Sequence, residues 1–522
     1  MRLKLGPIVG HTDQHSTRIW IRVSDPAALT ATSPVYSLRI KGVGAFPFVT
    51  TESAAPIFGT AIATALGLRE EWLYRYQVLR HGRVVPGAEG SFRTMPAPSS
   101  FADVLFVSVS CSDASEPGAW PLLRDFIARS QPRFLLLMGD QVYLDADKAE
   151  WRRNLKATQQ RRRRSILDLY QRHWDHEPVA WVLANIPTYM MWDDHDFHNG
   201  WGSNASDSAT LAERYPKGKP IYELFRAYFD DAREIAWHFQ LAHGPRAPDA
   251  PLPPVAGAQF AFRCGRLAVI VADNRGARDY WRAHYPVLGA EQWKFLRDSV
   301  TSLPPDTSAL ALVTPLPLVS MSPGGVTQTL FGKRSDDIEL FAAGRLDALL
   351  DLMETEGSAA ELPATLLGRL TGENIGNFEL NSLSDVRDNW ASERSRPEQE
   401  ELIRLAAFAR FANHSAGTPR EVVLVGGDLH AGGLFDVELT EPAVSMECLI
   451  TSGVSQQSGS KDPLIGTLVD ENFEVAAGIR ARLKLFTPVF NFGITHCIFE
   501  GEGARIQNAV EPVSASGYWG IK

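Results

Sequence analysis

Residues 193–200 read DDHDFHNG, three aspartates, two histidines and an asparagine in eight positions, directly behind the apolar run TYMMW (188–192). So many carboxylates in one turn repel unless protons or cations neutralise them. The same switch from apolar to polar recurs along the chain. DVLFVSV (103–109) ends in Ser110-Cys111-Ser112-Asp113, and RFLLLM (133–138) ends in Gly139-Asp140-Gln141-Val142-Tyr143. LAVIVA (267–272) ends in Asp273-Asn274-Arg275, and EVVLVGG (421–427) ends in Asp428-Leu429-His430. One such case would be a turn aspartate after a strand. Five together point to one pocket, because the ligand crevice of an α/β sheet lies outside the carboxyl ends of its strands.

The donor set is chemically mixed. It combines Asp oxygens, an Asn amide, His nitrogen, a Cys thiol and a Tyr hydroxyl, which suits a mixed-metal site better than magnesium alone. Two metal ions about 3.5–4 Å apart, bridged by one carboxylate, clamp the in-line attack of hydroxide on phosphorus. Phosphate-ester hydrolysis is therefore the natural reaction.

Elements must exist to bring these strand ends together. The chain has 522 residues, 44% hydrophobic and 22% charged, an ordinary globular composition with room for roughly two to four domains. Residues 1–95 carry short alternating runs, TRIWIRV, PVYSLRI and WLYRYQVLR, separated by Pro, Gly and Ser. They predict a small β-sandwich of Ig or fibronectin type. TMPAPSS (94–100) reads as a linker. From 101 to 522 apolar runs alternate with helical stretches at 119–130, 150–175, 220–237, 289–299 and 396–411, an α/β (α+β) pattern with mixed sheets. Residues 243–258 read as a Pro/Ala-rich surface loop and 320–395 as an irregular insertion.

Other features carry less chemistry. The four consecutive arginines in QQRRRRSILDLYQRHW (159–174) wrap around a helix and read as a solvated face. TSGVSQQSGS (451–460) lacks the strand–turn–helix setting of a serine nucleophile and reads as a loop lining the pocket. A net charge of −9 offers no broad footprint for nucleic acid. Neither a signal-peptide apolar region nor an apolar stretch long enough to span a bilayer is visible, so the chain reads as cytoplasmic. Cys264, Cys448 and Cys497 read as small buried apolar residues.

The ordered set SCSD (110–113), GDQVYLD (139–145), WDDHDFHNGWG (192–202), ADNR (272–275), GDLHAGG (427–433) and ITSGVS (450–455) resembles PhoD-like alkaline phosphatases. These are a branch of the calcineurin-like metallophosphoesterase superfamily. LGPIVGHTDQHSTRIWIRV (5–23) resembles their amino-terminal domain. SCSD and GDLH, standing where much of the superfamily has Asp-x-His and His-x-His, favour this branch. The twin-arginine export signal frequent in the branch is absent from the sequence, which argues against extracellular phosphate scavenging.

The resemblance implies a four-layer αββα sandwich spanning 101–522, behind the β-sandwich of 1–95, and hydrolysis of phosphomonoesters, phosphodiesters or both. It implies Asp140 as the bridging carboxylate and Cys111 and Tyr143 as ligands of iron(III). Asp194 and Asn199 would face a second metal, usually calcium, and Asp428 and His430 would complete the cluster. Manganese, magnesium, cobalt and zinc are the alternative metals, and Asn204 competes with Asn199 as the amide donor. His195 would assist the departing or attacking oxygen, Arg275 would pair with phosphoryl oxygens or with Asp273, and Asp193 and Asp196 would orient their neighbours. The expected partner is a small phosphate ester; the sequence gives no oligomeric state. Two other classes stay open, an inert metal-binding module and a hydrolase of another ester on the same metals.

Overall fold

The computed structural model describes residues 2–52, 56–113, 115–198, 200–202, 220–246, 257–278, 284–320, 390–391, 395–412, 419–456 and 472–511. Alternating residues near the amino terminus form two antiparallel four-stranded sheets. One has the order β1 (Leu5–Thr12), β2 (Ser16–Arg22), β6 (Thr60–Leu66), β5 (Val49–Thr50). The other has β4 (Gly44–Pro47), β3 (Tyr36–Ile40), β7 (Leu73–Arg80), β8 (Arg83–Arg93). In β7, Tyr74, Tyr76 and Val78 turn inward while Leu73 and Arg75 face solvent, the two-residue period of a half-buried strand. Val9, Ile19, Ile21, Leu38, Ile40 and Val78 share one core.

The longer apolar runs build two further sheets. The first has the order β11 (Thr188–Met191), β10 (Phe134–Met138), β9 (Val104–Val109), β20 (Phe492–Glu500), β21 (Gly503–Glu511). Its first three strands are parallel and the last two run antiparallel. The second sheet has eight strands. β13 (Leu267–Val271), β14 (Ala309–Thr314), β15 (Glu421–Gly426) and β17 (Val444–Ile450) form its parallel centre. β12 (Phe260–Cys264), β16 (Gly432–Leu439), β19 (Ile479–Thr487) and β18 (Asn472–Ala476) flank it antiparallel.

Side-chain alternation fixes the layers. Val269, Val271, Ala311, Val313, Val423 and Val425 join the core that holds Val107, Val109, Leu135 and Leu137 of the first sheet. Their neighbours Ile270, Leu310, Leu312 and Leu424 pack instead with Trp293 and Leu296 of helix 289–301 and Leu402 and Ile403 of helix 396–409. Helices α1 (Trp120–Ser130), α3 (Gln159–Trp174) and α4 (Glu177–Asn185) add Leu123, Ile166, Val182 and Leu183 to the first sheet's core. The result is the αββα sandwich with a small amino-terminal β-sandwich. Both sheets aim the carboxyl ends of their parallel strands at one edge.

Two local expectations differ from the structure. The stretch 150–175 is not one helix but two, α2 (Lys148–Leu155) and α3, separated at Lys156–Thr158. The break is held by Arg162 Nη1 donating to Ala157 O at 2.7 Å and by Asn154 donating to Ser165 Oγ at 2.9 Å. The arginine run is likewise not a solvated face. At 3.6 residues per turn, Arg162 and Arg163 turn toward α5 (Pro220–Ala236) and meet the buried Asp231 at 2.8 and 2.6 Å, while Arg161 and Arg164 are exposed.

The β-sandwich docks on the αββα layers through close contacts to main-chain carbonyls. Tyr76 donates to Ala184 O at 2.9 Å, Trp20 Nε1 to His238 O at 2.8 Å, and His11 N to His243 O at 2.7 Å. Glycine is required here, since a Cβ on Gly90 would lie 2.0 Å from Ala184 O and one on Gly10 would lie 2.4 Å from His243 O. Among the described residues no helix is long and apolar enough to cross a membrane.

Candidate metal centre

The strand ends converge. Cys111 follows β9, Asp140 follows β10, Asp194 and His195 sit on a short helical turn after β11, Arg275 follows β13, and Asp428 and His430 follow β15. Three groups of donors form, Cys111–Asp140–His430, Asp140–Asp194–His195 and Asp140–Asp193–Asp194–Asp428, with the ligand atoms of each within 4.8 Å of one another. Asp140 belongs to all three.

The turns that present these groups are tight. Cys111, Asp140, Asp428 and His430 all adopt left-handed backbone, with φ of 56°, 52°, 63° and 52°. Such conformations cost a non-glycine residue roughly 1–3 kcal/mol and persist only where surrounding structure enforces them. Gly139 and Gly427 supply the close approach, since a Cβ on Gly139 would fall 2.3 Å from Asp193 Cβ and one on Gly427 would fall 2.4 Å from Ser110 Oγ.

One side of the cluster is soft. Tyr143 Oη lies 3.2 Å from Asp140 Oδ2 and 3.0 Å from His430 Nε2, and Cys111 Sγ lies 3.5 Å from the same Asp140 oxygen. Burial pushes the Cys111 thiol up to about 11 and the Tyr143 hydroxyl well above its usual value. Burial, with His195 nearby, lowers His430 to about 4.

The other side is crowded with carboxylates. Asp194 Oδ2 accepts the Gly200 N–H at 2.6 Å. Asp196 Oδ2 accepts the N–H groups of Asp140 and Asp193 at 3.0 and 2.9 Å, and its Oδ1 accepts from Gln240 at 2.8 Å. Burial raises the Asp196 carboxyl to about 7. Burial also pushes Asp140 well above the carboxylate range, and Cys111 and Asp194 add to the effect.

His195 stands between the two sides. Its Nδ1 lies 2.7 Å from Asp145 Oδ1 and its main-chain N–H donates to Asp140 Oδ1 at 3.1 Å. Burial disfavours its charged form, but the carboxylates of Asp145, Asp194 and Asp140 outweigh that and hold it well above an ordinary histidine.

Arg275 is wholly buried behind the carboxylates. Its Nε donates to Asp193, and Nη2 lies 3.6 Å from Asp194 Oδ1 and 3.8 Å from Asp428 Oδ1. Its main-chain N–H donates to Asp273 Oδ1 at 2.9 Å. Asn199 and Asn204, the two competing amide donors, lie outside the described residues.

The donor set fits cations. Several carboxylates and a thiol lie with their ligand atoms within 4.8 Å of those of a single Asp140, with one buried guanidinium among them, and ions would relieve the remaining repulsion. The sequence assigned no role to Asp145, Ser110 or Ser452, although each stands in a quoted motif, GDQVYLD, SCSD or ITSGVS, and it gave no sign of Gln240, which meets Asp196 from outside every motif.

Residues 106–505 match the PhoD-like phosphatase family. The chain belongs to that family. A solved structure titled "Structure of PhoD" superposes with a TM-score of 0.57 at 15% identity, covering 98% of this chain and 90% of that one. The purple acid phosphatase PPD1 from yellow lupin (Lupinus luteus) seeds aligns with a TM-score of 0.49 at 10% identity, over 98% of this chain and 72% of that one. No curated protein matches the chain in sequence. Family membership makes metal-dependent phosphoester hydrolysis the general class of reaction.

Proposed function

We propose that the protein hydrolyses small phosphate esters, monoesters, diesters or both, at a cluster of metal ions centred on Asp140. The observation that carries this reading is that Asp140 is common to all three donor groups found among the described residues, its ligand atoms within 4.8 Å of those of Cys111, His430, Asp193, Asp194, His195 and Asp428. Cys111, Tyr143 and His430 suit iron(III), and Asp194 and Asp428, with Asn199 or Asn204, suit calcium or another hard divalent ion. The bound cations would supply the charge that lowers the pKa of water and neutralises phosphoryl oxygens.

The protein's own groups do the rest. Asp140 joins the two halves of the cluster. Asp145 fixes the imidazole of His195 through Nδ1, so that Nε2 is the atom presented to the attacking or departing oxygen. Asp196 clamps the main chain at Asp140 and Asp193. Arg275 sets Nε on Asp193, Nη1 on Trp201 O and Nη2 at 3.6 and 3.8 Å from Asp194 and Asp428, so its role in this reading is to orient carboxylates. The β-sandwich of residues 1–95 is a separate domain ahead of the catalytic domain of 101–522.

The test is Asp140→Asn. Hydrolysis of a chromogenic aryl phosphate is expected to vanish while the circular dichroism spectrum stays that of the folded protein. Retained turnover would refute the reading.

A further inference from the structure

The sulfur of Cys111 sits in a nest of hydroxyl groups. Ser452 Oγ lies 3.1 Å from Cys111 Sγ and Ser110 Oγ lies 3.3 Å from it, and all three residues are buried. A serine hydroxyl has one hydrogen to give. Ser110 has a better acceptor for its own, the carbonyl of Thr451 at 3.2 Å, and its oxygen accepts the Asp428 N–H at 3.1 Å. Ser452 is placed differently. Its oxygen accepts the His430 N–H at 2.8 Å, and its hydrogen is directed at sulfur.

The loop that carries Ser452 is fixed on both sides. Asn491 Nδ2 donates to Ser452 O. Gly453 follows with φ of +73°, where a Cβ would fall 2.3 Å from Gln456 O. The hydroxyl therefore has a defined direction.

We propose that Ser452 is a positioning residue of the metal centre: its hydroxyl donates a hydrogen bond to the Cys111 sulfur while its oxygen holds the main chain of His430. One side chain thereby aligns two ligands from different strands and sets how strongly the sulfur donates to its metal. This rests on Cys111 ligating iron. A hydrogen bond to a metal thiolate withdraws density from the sulfur lone pairs, and partners of this kind tune both affinity and electronic structure. Removing it raises the energy of those lone pairs, so a sulfur-to-iron charge-transfer band moves to longer wavelength.

The experiment loads the purified full-length protein with ferric iron and compares visible spectra of wild type, Cys111→Ser, Ser452→Ala, Ser452→Thr and Ser110→Ala. Cys111→Ser is expected to lose the sulfur component. Ser452→Ala should keep that component but shift it to longer wavelength, with iron binding weakened about tenfold or more. Ser452→Thr, which retains the hydroxyl, and Ser110→Ala should both keep the wild-type band position. If Ser452→Ala does not fold, Ser452→Gly, which likewise lacks the hydroxyl, should give the same shift. An unmoved band in the Ser452 variant that folds, or an equal shift in Ser110→Ala, overturns the role of Ser452 and leaves Cys111 as a ligand. A Cys111→Ser spectrum identical to wild type overturns the underlying ligation instead.

Discussion

Two buried polar regions of this molecule are built on opposite principles. At the seam between the β-sandwich and the catalytic layers, many contacts are made by neutral groups, Tyr76 on Ala184 O, Trp20 on His238 O and Ser91 on Asn185, and the charges present are matched, Arg133 with Glu71 and Arg18 with the Gly244 and Arg246 carbonyls. Burial lowers His11, His238 and His243 there to about 4, so they stay uncharged in neutral solution. At the metal centre, carboxylates accumulate in excess, with the guanidinium of Arg275 set among them. The seam is what a chain does to fold. The centre keeps an imbalance that folding alone would avoid, and that imbalance is what holds cations.

The contrast predicts that changes at the centre remove activity and spare the fold, and that changes at the seam do the reverse. Asp140→Asn is the strongest case, with hydrolysis lost and, compared with metal-free wild type, thermal stability kept or raised, because a buried carboxyl that repels its neighbours has been neutralised. A large drop in its Tm would break the contrast. His195→Ala should lower kcat on an aryl phosphate by roughly 10²–10⁴-fold, and Asp145→Asn should follow in the same direction with a smaller loss. Equal kcat in both variants and wild type would remove the pair from the reaction.

Arg275→Met sharpens the comparison because it is the exception. It leaves the buried Asp193 without its partner, so chemical denaturation should show a loss of about 3–5 kcal/mol along with activity. An unchanged midpoint would mean that Arg275 is not what balances Asp193.

The seam predicts a pH effect of known sign. An unfolded histidine takes up its proton near pH 6.5, whereas His11 does so near 4 in the folded chain. Between these values the unfolded state binds more protons, so the stability His11 contributes is present above pH 6.5 and drains as pH falls toward 4. The stability gap between wild type and His11→Gln should therefore narrow over that window, by up to about 3 kcal/mol, with specific activity at neutral pH unchanged. The smallest effect is expected of Tyr76→Phe, about 1 kcal/mol from one lost hydrogen bond, again without loss of turnover.

How much of this was legible in the sequence follows from the same contrast. Buried parallel strands read as unbroken apolar runs, so β9, β10, β11, β13 and β15 announced themselves, and the polar residues at their ends marked the centre. The gap between α2 and α3 was not legible, because Lys156–Thr158 contains neither proline nor glycine and the break is enforced by side chains of the flanking helices. The inward turn of Arg162 and Arg163 depends on Asp231, some 70 positions away. Ser452, Gln240 and Asp145 reach the cluster by folding, and no local spacing ties Ser452 to Cys111. The left-handed backbone at Cys111 and His430 has no glycine immediately before it to signal it, unlike Asp140 behind Gly139 and Asp428 behind Gly427.

The most direct test of a centre with a soft half and a hard half sharing Asp140 is elemental analysis of the active, purified protein beside Asp140→Asn. The account predicts iron together with a hard divalent metal in the wild type, and loss of both from the single variant. Full activity in a preparation free of bound metal, or a variant that retains both metals, would contradict it.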